Sequence, residues 1–306
     1  MPLSLDARLT LRASTLSDIR AFFAGRGVRE VTVPNIMPAP VTDPYIEVPR
    51  ATDHKNRLLG YLQSSPEYAM KRLMAQGSGD IYACAPAFRL DESSPRHRSE
   101  FTLLEWYRVA WSGAQLRQEA SDLLSQLLDC PDAQEISYRD AFVAELGLCP
   151  FSASDSALFA LAQERLNYPH ALTRTQALQW LCAGFVEPNL GRQAPVFLTH
   201  YPAEQAALAR HVEHQGHPYA DRFELFYHGL ELANGYWELT DPLEQQARFE
   251  ADLAQRESEG LPPVPIDQAL LAALPQMPAC SGIALGLERL MMLRAGVKDI
   301  AEVTLF

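Results

Sequence analysis

The alternation of apolar and polar residues predicts a β-hairpin in the last third of the chain. Residues 222–239 follow the period of two that is typical of strands, and His228-Gly229 interrupts this pattern near its middle. We therefore predict two antiparallel strands that turn at His228-Gly229. The second strand carries two carboxylates among apolar residues.

These two carboxylates, Glu231 and Glu238, lie seven residues apart, so a regular strand would place them on opposite faces of the sheet. A glycine inside a strand often marks a β-bulge, and a bulge at Asn234-Gly235 would return both carboxylates to one face. Two carboxylates on one face can bind a divalent cation or a cationic substrate. The alternative is an amphipathic hairpin whose acids are solvated.

Apolar periodicity also predicts helices and strands along the rest of the chain. In chain order these are a helix over 14–25, a strand over 28–33 that stops at Pro34, a short strand over 59–63, a helix that starts at 64–67 and continues to 75, strands over 81–88 and 101–108, and a strand with a following helix over 281–293. The intervening segments are a loop over 41–59, a mostly helical scaffold over 113–215 with breaks at 149–152 and around 187–189, and a proline-rich connector over 257–266.

A polar loop joins two of these strands at residues 89–100. It contains three arginines, Arg89, Arg96 and Arg98, together with His97. An arginine guanidinium is a planar fork that fits phosphate oxygens and can stack on a flat base, so this loop could clamp a polyphosphate. An ordinary solvated hairpin loop is the alternative.

Near the C-terminus, a strand rich in small residues leads into an apolar helix. Gly282 and Gly286 would allow a ligand to approach the backbone closely. Arg289 would project from the first turn of the helix, where positive potential concentrates. The alternative is a buried helix with Arg289 in a structural ion pair.

The bulk composition is that of a globular protein, with 306 residues, 47% apolar and 21% charged. The length fits one large domain or two small ones. No apolar run approaches the ~20 residues of a membrane span, and the first eight residues do not have the pattern of a signal peptide. The five cysteines are scattered without a C-x-x-C pair, which argues against a disulfide framework or a zinc site and favours the cytoplasm.

The formal net charge of −12 bears on the choice of partners. Affinity for nucleic acid comes largely from the neutralisation of phosphates by Lys and Arg. This chain has no basic run, only short pairs such as Lys71-Arg72. We therefore predict no extensive binding of tRNA or DNA, although a local basic patch remains compatible with the sequence.

Taken together, these segments resemble the catalytic domain of class II aminoacyl-tRNA synthetases, and of their lysyl branch in particular. The three motifs of the family occur in its order, as a helix–strand segment ending at Pro34 (motif 1), residues 88–101 (motif 2) and residues 282–289 (motif 3). Two segments resemble lysyl-specific ones, namely Ser65-Pro-Glu67 with Lys71-Arg-Leu73, and Glu231-x-x-Asn-Gly-x-x-Glu238. The resemblance spans nearly the whole chain.

This resemblance implies an α+β fold with a mainly antiparallel sheet flanked by helices, a single catalytic domain over residues 1–306, and a homodimer assembled through motif 1. Because motif 1 begins almost at the first residue, we expect no anticodon-binding barrel. The chain is similar to the short lysyl-tRNA synthetase paralogues that attach (R)-β-lysine to elongation factor P. The matching positions are Val41-Thr-Asp43, Trp106-Tyr107, Leu232-Ala-Asn-Gly235 and Ala284.

Residue roles follow from the same resemblance. The implied catalytic residues are Arg89, Glu238 and Arg289. The implied ATP-binding residues are Arg89, Asp91, His97, Phe101, Glu231, Leu232, Gly286 and Arg289. The implied substrate-binding residues are Ser65, Glu67, Arg98, Tyr107, Ala233, Glu238 and Ala284, and the residues implied to bind Mg²⁺ are Glu231 and Glu238.

In the family's mechanism, Arg89 would bind the α-phosphate and the substrate carboxylate. Arg289 would bind the γ-phosphate or stack on adenine, and Phe101 would stack on the other side of adenine. ATP and the amino acid would form an aminoacyl-adenylate without an enzyme nucleophile, by positioning and electrostatic stabilisation. A lysine ε-amine of elongation factor P would then accept the aminoacyl group.

The chain also departs from the family at several positions. Asp91 replaces a glutamate that reads the adenine edge and is one methylene shorter, so the neighbouring Glu92 could substitute for it. Leu90 and Arg98 replace residues that are usually Asn, which bears on the identity of the substrate. Extra methyl groups at Ala233 and Ala284 would suit a β-amino acid; one methyl group is worth about 1–3 kcal/mol of discrimination.

Two alternatives remain open from the sequence. The chain could be a lysine-type adenylating enzyme whose acceptor is a tRNA or a small amine. It could also be a catalytically silent synthetase relic that serves as a binding module, in which case loss of the arginines or carboxylates would be expected. Arg89, Glu231, Glu238 and Arg289 are all retained, which favours an enzyme.

Overall fold

The computed structural model describes residues 3–90, 94–167, 172–214 and 216–306. The strands are β1 (Arg29–Glu30), β2 (Ile36–Met37), β3 (Arg50–Thr52), β4 (Leu58–Leu62), β5 (Ile81–Phe88), β6 (Glu100–Val109), β7 (Gln134–Ser137), β8 (Val196–Pro202), β9 (His211–His214), β10 (His217–Tyr227), β11 (Leu230–Trp237) and β12 (Cys280–Gly286). The α-helices are α1 (Leu5–Ala24), α2 (Glu67–Ala75), α3 (Gly113–Leu128), α4 (Tyr138–Leu146), α5 (Asp155–Leu166), α6 (Arg174–Leu181), α7 (Pro242–Ser258), α8 (Gln268–Ala273) and α9 (Leu287–Ala295).

The chain divides into two compact units. The first unit is formed by residues 1–111 together with 239–306, and the second by residues 112–238. A single catalytic domain over the whole chain stays a prediction. Within the ranges given above, no helix combines the length and the apolar character needed to span a bilayer.

The main sheet of the first unit contains β1, β5, β6 and β12 in that spatial order. β1 is parallel to β5, whereas the β5–β6 and β6–β12 pairs are antiparallel. Helix α1 packs against this sheet through Phe23, whose ring stacks on Tyr82 with 4.4 Å between centroids and meets Trp106 edge-on at 5.4 Å. All three side chains are buried, so they anchor the helix to the sheet.

Helix α1 begins nine residues before the predicted start at residue 14. The Ser4 side chain caps it by accepting the N–H of Ala7 at 3.2 Å. The helix buries side chains only from Thr15 onward, while Leu5 and Leu9 in its first half are 56% and 47% exposed. The apolar stripe that predicts a helix therefore covers only its second half.

The first unit also contains a smaller antiparallel sheet with the order β2–β4–β3. Strand β4 confirms the predicted short strand over 59–63, but β3 lies in a segment that was predicted to be a loop. That prediction was wrong because three residues, Arg50-Ala51-Thr52, are too few to show a period of two. Strand β1 is likewise shorter than the predicted 28–33.

The sheet of the second unit has the order β11–β10–β8–β7, and β9 pairs with β10. Only the β7–β8 pair among these is parallel. The expectation that residues 113–215 are mostly helical is therefore wrong for β7, β8 and β9. Strand β8 is buried at six of its seven positions, and a continuous apolar run cannot be distinguished from a buried helix by periodicity alone.

The helices of the second unit form an apolar core with β8. Tyr138 and Phe142 of α4 stack with 5.7 Å between ring centroids, and Leu178 of α6 and Leu198 of β8 belong to the same buried cluster. The predicted breaks at 149–152 and around 187–189 are confirmed, since α4 ends at Leu146 and a 3₁₀ turn occupies Glu187–Asn189. Both units thus combine helices with mainly antiparallel strands, which confirms the α+β prediction.

Candidate active site

The first unit positions an arginine at the point where β5 ends. The guanidinium of Arg89 lies 5.3 Å from the ring centroid of Phe101, at the start of β6, and the Arg89 N–H donates to the carbonyl of Ser99 at 2.9 Å. The Arg89 Nε is buried and has no hydrogen-bond partner among the described residues. A buried donor of this kind is costly unless a ligand satisfies it, so the geometry suits an anion beside an aromatic ring.

The end of the following loop is held by a tight turn at Ser94–His97. The two residues exchange backbone hydrogen bonds of 3.3 and 3.2 Å, and the Ser94 hydroxyl lies 2.7 Å from His97 Nδ1. His97 Nε2 lies 2.6 Å from an Nη of Arg289. An arginine can only donate, so Nε2 acts as the acceptor in this contact.

Arg289 lies in the first turn of α9, as predicted, and its Nε also approaches the Arg96 carbonyl at 3.5 Å. Its side chain passes over Gly286, where an added Cβ would come to 3.6 Å from the Arg289 Cδ. The helix and the loop therefore hold Arg289 and His97 together. Asp91 and its possible substitute Glu92 lie outside the described residues.

A buried carboxylate on β6, Glu105, was not predicted from the sequence. Its Oε2 accepts a hydrogen bond from the Ser65 hydroxyl at 2.6 Å, and its Oε1 accepts one from the Tyr107 hydroxyl at 2.7 Å. Glu105 is 2% exposed and lies opposite Ala284 of β12. The signal in the sequence is a single acid inside the apolar run Leu103-Leu-Glu-Trp-Tyr107, because a charge in a buried strand is costly unless a partner or ligand compensates it.

Ser65 links this carboxylate to a second one. Its hydroxyl accepts the backbone N–H of Glu67 at 3.1 Å while donating to Glu105, and Glu67 begins α2. Glu67 Oε1 lies 2.7 Å from Nζ of Lys71, one turn further along the helix. The structure therefore brings Ser65, Glu67 and Tyr107, three of the predicted substrate-binding residues, into one hydrogen-bonded network with Glu105.

The hairpin of the second unit forms as predicted. Strands β10 and β11 are joined by His228 and Gly229, whose φ angles of 53° and 67° are those of a two-residue type I′ turn. The predicted position of the bulge is wrong. Leu225 pairs with Ala233 and Phe226 with Glu231, so the extra residue is Leu232 rather than Asn234-Gly235. The Asn-Gly step continues the ladder, and a buried leucine gives no local sign of a bulge.

The bulge at Leu232 nevertheless has the predicted effect on the two carboxylates. Glu231 stands opposite Phe226 and Asn234 stands opposite Glu224, two positions on one face of β10. Alternation from Asn234 then places Glu238 on that same face. Glu238 is 3% exposed and its backbone pairs with Ala209. The Asn234 Oδ1 is buried and accepts no hydrogen bond from any described residue.

Glu224 is a second carboxylate that sequence reasoning missed. It accepts a hydrogen bond from the Tyr201 hydroxyl at 2.6 Å and forms an ion pair with Arg222. Burial raises the pKa of Glu224 above its ordinary value; the neighbouring Glu231 carboxylate also raises it, and Arg222 opposes the shift. Glu224 of β10 and Glu231 of β11 lie on the same face of the hairpin, and together they form an oxygen-rich surface of the kind that suits a hard divalent cation. Among the residues that the structure describes, no three acidic, His or Cys side chains form a metal-binding group.

For the remaining predicted site residues, the structure defines how deeply each is buried but not what each would bind. Leu232 and Ala233 are buried in β11, and Ala284 is half-buried in β12. Arg98 is half-buried near the start of β6. Their predicted roles toward ATP or substrate therefore stay predictions.

Comparison with known proteins agrees with this geometry. The sequence profile of the family described as "tRNA synthetases class II (D, K and N)" matches residues 3–306. The chain is 45% identical over 310 residues, covering 98% of this chain and 94% of the relative, to the "Elongation factor P--(R)-beta-lysine ligase" of Edwardsiella ictaluri (strain 93-146). The chain therefore belongs to the class II tRNA synthetase family of the D, K and N type.

Proposed function

We propose that this chain activates (R)-β-lysine with ATP and transfers it to the ε-amine of a lysine on elongation factor P. The observation that carries the proposal is the network of Glu67 and Glu105 joined through Ser65. It provides two carboxylates, largely removed from water, for a substrate with two amino groups. The relative that is 45% identical over 98% of this chain bears the name of this activity, which supports the choice of substrate and acceptor.

The amino groups of the substrate are received by carboxylates. Glu105 is held by Ser65 and Tyr107, which stabilise its ionised form because both donate to it. We assign one amine to Glu105 and the other to Glu67, and Glu238 keeps its predicted role toward the amines.

The ATP phosphates are received by arginines. Arg89 has a buried donor that no described residue satisfies, and Arg289 is held in the first turn of α9 by His97. We assign the α-phosphate to Arg89, the γ-phosphate to Arg289, and stacking on adenine to Phe101. Gly286, Leu232 and Asp91 keep their predicted roles in this assignment.

The carboxylates of the second unit fit Mg²⁺. We assign the cation to Glu224 and Glu231, with Glu238 retained from the sequence prediction. Mg²⁺ commonly uses only one or two carboxylates and takes its other ligands from phosphates and water. When bound, the ion neutralises charge on the phosphate oxygens.

The reaction proceeds in two transfers, neither of which needs an enzyme nucleophile. The substrate carboxylate attacks the α-phosphorus of ATP, an O–P bond forms and pyrophosphate leaves. The neutral ε-amine of the acceptor lysine then attacks the acyl carbon, an amide forms, AMP leaves and the amine proton passes to solvent. Arg89 offsets the charge that develops at phosphorus in the first transfer, which is where preorganised donors contribute most.

Mass spectrometry of elongation factor P tests the proposal. The factor is incubated with this protein, Mg²⁺, ATP and each lysine isomer in turn. We expect a mass increase on one lysine that is largest with (R)-β-lysine, since the family resemblance implies that alanine at positions 233 and 284 suits a β-amino acid. AMP formation with an unmodified factor would instead support the alternative, a lysine-type adenylating enzyme with a tRNA or small-amine acceptor.

We also propose that the protein acts as a homodimer in the cytoplasm, where ATP and translation factors are available. Ile36, Leu58 and Leu59 of the small β2–β4–β3 sheet are 46%, 51% and 60% exposed. Apolar side chains clustered on one exposed sheet commonly mark a protein interface. A second copy of the chain, joined through the motif 1 region, would cover them.

A further inference from the structure

We propose that Lys71 is a positioning residue for the substrate amine, acting through Glu67. This inference rests on the proposed function. In the sequence, Lys71 belongs to a lysyl-type family segment and to the short basic pair Lys71-Arg72. In the structure it forms one half of an ion pair whose other half is a predicted substrate-binding residue, with Nζ 2.7 Å from Glu67 Oε1.

The first support is burial. The Lys71 side chain is 1% exposed and that of Glu67 is 15% exposed. Lys is almost never fully buried unless it is paired, because removing an ammonium from water costs far more than most side-chain contacts return. An ion pair at this depth is therefore more than a weak surface contact, and removing Lys71 would leave the Glu67 carboxylate without its partner in a partly dry site.

The second support is geometry. Glu67 is the first residue of α2 and Lys71 lies four residues later, so the two side chains share one face of the helix. The Glu67 carboxylate therefore lies at the positive end of the helix as well as beside Lys71. One carboxylate oxygen, Oε1, is directed to Lys71, which leaves Oε2 as the oxygen that can accept from a ligand.

The third support is the neighbouring charge. Ser65 connects the backbone of Glu67 to Glu105, whose two oxygens already accept from Ser65 and Tyr107. Two carboxylates that are linked through one serine repel each other when little water screens them. Lys71 places a positive charge beside Glu67 that offsets this repulsion and holds the Glu67 side chain in one orientation.

Without Lys71, the Glu67 carboxylate would not be held in one orientation, and part of the protein would not present Oε2 to an ammonium. Apparent affinity falls in proportion to the fraction of molecules in the competent state, so one competent molecule in ten would weaken binding about tenfold. The binding of ATP, which does not involve Glu67, would be unaffected. This selectivity distinguishes positioning from a purely structural role.

The test compares Lys71→Met, Lys71→Gln and Lys71→Arg with the native protein. Dissociation constants for (R)-β-lysine and for ATP are measured by titration calorimetry, and Tm is measured for each variant. Lys71→Met removes the charge, Lys71→Gln keeps a donor with less risk to folding, and Lys71→Arg restores the charge. Arg72→Met is the matched control, because it removes a positive charge from the same helix at a half-buried position.

We expect the Kd for (R)-β-lysine to rise about tenfold or more in Lys71→Met and Lys71→Gln, with the Kd for ATP changed less than about twofold. Lys71→Arg should recover most of the affinity, and Arg72→Met should match the native protein. A fall in Tm with the Kd for (R)-β-lysine unchanged in a folded neutral variant would overturn the inference.

The binding readout also separates this inference from the proposed function. Native protein that binds (R)-β-lysine but does not modify elongation factor P would contradict the proposed function, and the role of Lys71 would still be read from the Kd values. Native protein that binds no lysine isomer would overturn both.

Discussion

At the scale of single residues, the site depends on charges that are almost completely removed from water. Glu105 and Glu238 are 2% and 3% exposed, and Lys71 is 1% exposed. Such groups remain charged only where hydrogen bonds or opposite charges replace the lost hydration. Each is therefore coupled to specific neighbours, and single substitutions should have selective effects on ligand binding.

Glu105→Gln tests whether Glu105, the buried carboxylate of β6, binds an amino group of the substrate. The amide keeps the shape of the side chain but loses its charge and cannot accept from Ser65 and Tyr107 with both of its terminal atoms. Hydrogen bonds to charged groups contribute about 1.5–3 kcal/mol, which corresponds to about a 10- to 150-fold rise in the Kd for (R)-β-lysine. Calorimetry would measure this rise.

Glu100→Gln is the matched control for that experiment, because Glu100 is an exposed acid at the start of the same strand. We expect it to leave the Kd unchanged. If Glu105→Gln lowered Tm without changing the affinity for any lysine isomer, Glu105 would be a structural carboxylate and its assignment to the substrate would be wrong.

Cys149, in the segment between α4 and α5, should be an unusually reactive thiol at neutral pH. Burial opposes its ionisation, but hydrogen bonds from Ser152, the Phe151 backbone and the Arg139 side chain lower the pKa of Cys149 to about 7. The thiolate is the nucleophile, so alkylation should reach half its maximal rate near pH 7 and rise above it. Rates of iodoacetamide labelling against pH, measured by mass spectrometry, would show this.

Cys130 provides the internal comparison, since burial raises the pKa of its thiol and both cysteines are half-buried. Arg139→Gln should shift the midpoint for Cys149 to higher pH. Equal labelling of both cysteines across pH 6–9 would contradict the prediction.

Individual site residues could be predicted from the sequence where they belong to a family motif, because the motif fixes their order along the chain. Arg89, His97 and Arg289 occur in the predicted elements, and His97 contacts Arg289 although 192 positions separate them. Glu105 and Glu224 were missed for a common reason. Each is an acid within an apolar strand, and the pattern that predicts a strand reports which face a residue occupies but not whether that face borders a ligand.

At the scale of elements, the hairpin depends on the conformation of its turn. Gly229 has a φ of +67°, and a Cβ at this position would come within 2.8 Å of the Pro188 carbonyl oxygen. The N–H groups of His228 and Gly229 also donate to the carbonyls of Gly191 and Leu190, at 2.8 and 2.9 Å. The turn is therefore packed against the segment that precedes β8.

Gly229→Ala should consequently lower the free energy of unfolding by more than the cost of placing alanine in a left-handed backbone conformation. Gly147→Ala is the matched control, because Gly147 has a φ of +69° and open space around it. The left-handed conformation costs an L-residue about 1–2 kcal/mol, which is the loss expected for Gly147→Ala. Urea unfolding should show a clearly larger loss for Gly229→Ala; equal losses would mean that the contact with Pro188 relaxes freely.

Element prediction succeeded for the segments that carry the candidate site and failed for several others. Strands β5 and β6, the hairpin, and the β12–α9 junction lie where the pattern indicates. Strand β8 was missed because it is buried nearly throughout, and the first half of α1 was missed because it buries no side chain. In both cases the contrast between two faces, which periodicity detects, is absent from the sequence.

At the scale of the whole molecule, the exposed apolar residues of the small sheet predict self-association. Light scattering should give the native protein about twice the chain mass of 34.1 kDa. The double variant Leu58→Asp, Leu59→Asp places two charges on the proposed interface and should give a monomer, since burying unpaired charges is prohibitive.

Leu243→Asp is the control for that measurement, because Leu243 is 77% exposed at the start of α7 and lies outside the small sheet. It should leave the mass unchanged. A native protein that is monomeric at all concentrations tested would contradict the proposed interface on the small sheet.

The one-residue bulge at Leu232 has a consequence for how related chains should be compared. Because the bulge adds one residue to β11, two residues on opposite sides of it share a face of the sheet when an odd number of positions separates them. Two residues on the same side of it share a face when that number is even. A relative that lost this one residue would return to regular alternation, with the counterpart of Glu231 two positions from that of Asn234, and would keep both side chains on one face. A relative that kept the residue but paired the strand without a bulge would instead turn Glu231 away from Asn234 and Glu238. An acid at the aligned position is therefore equivalent to Glu231 only if the spacing and the strand pairing agree as well.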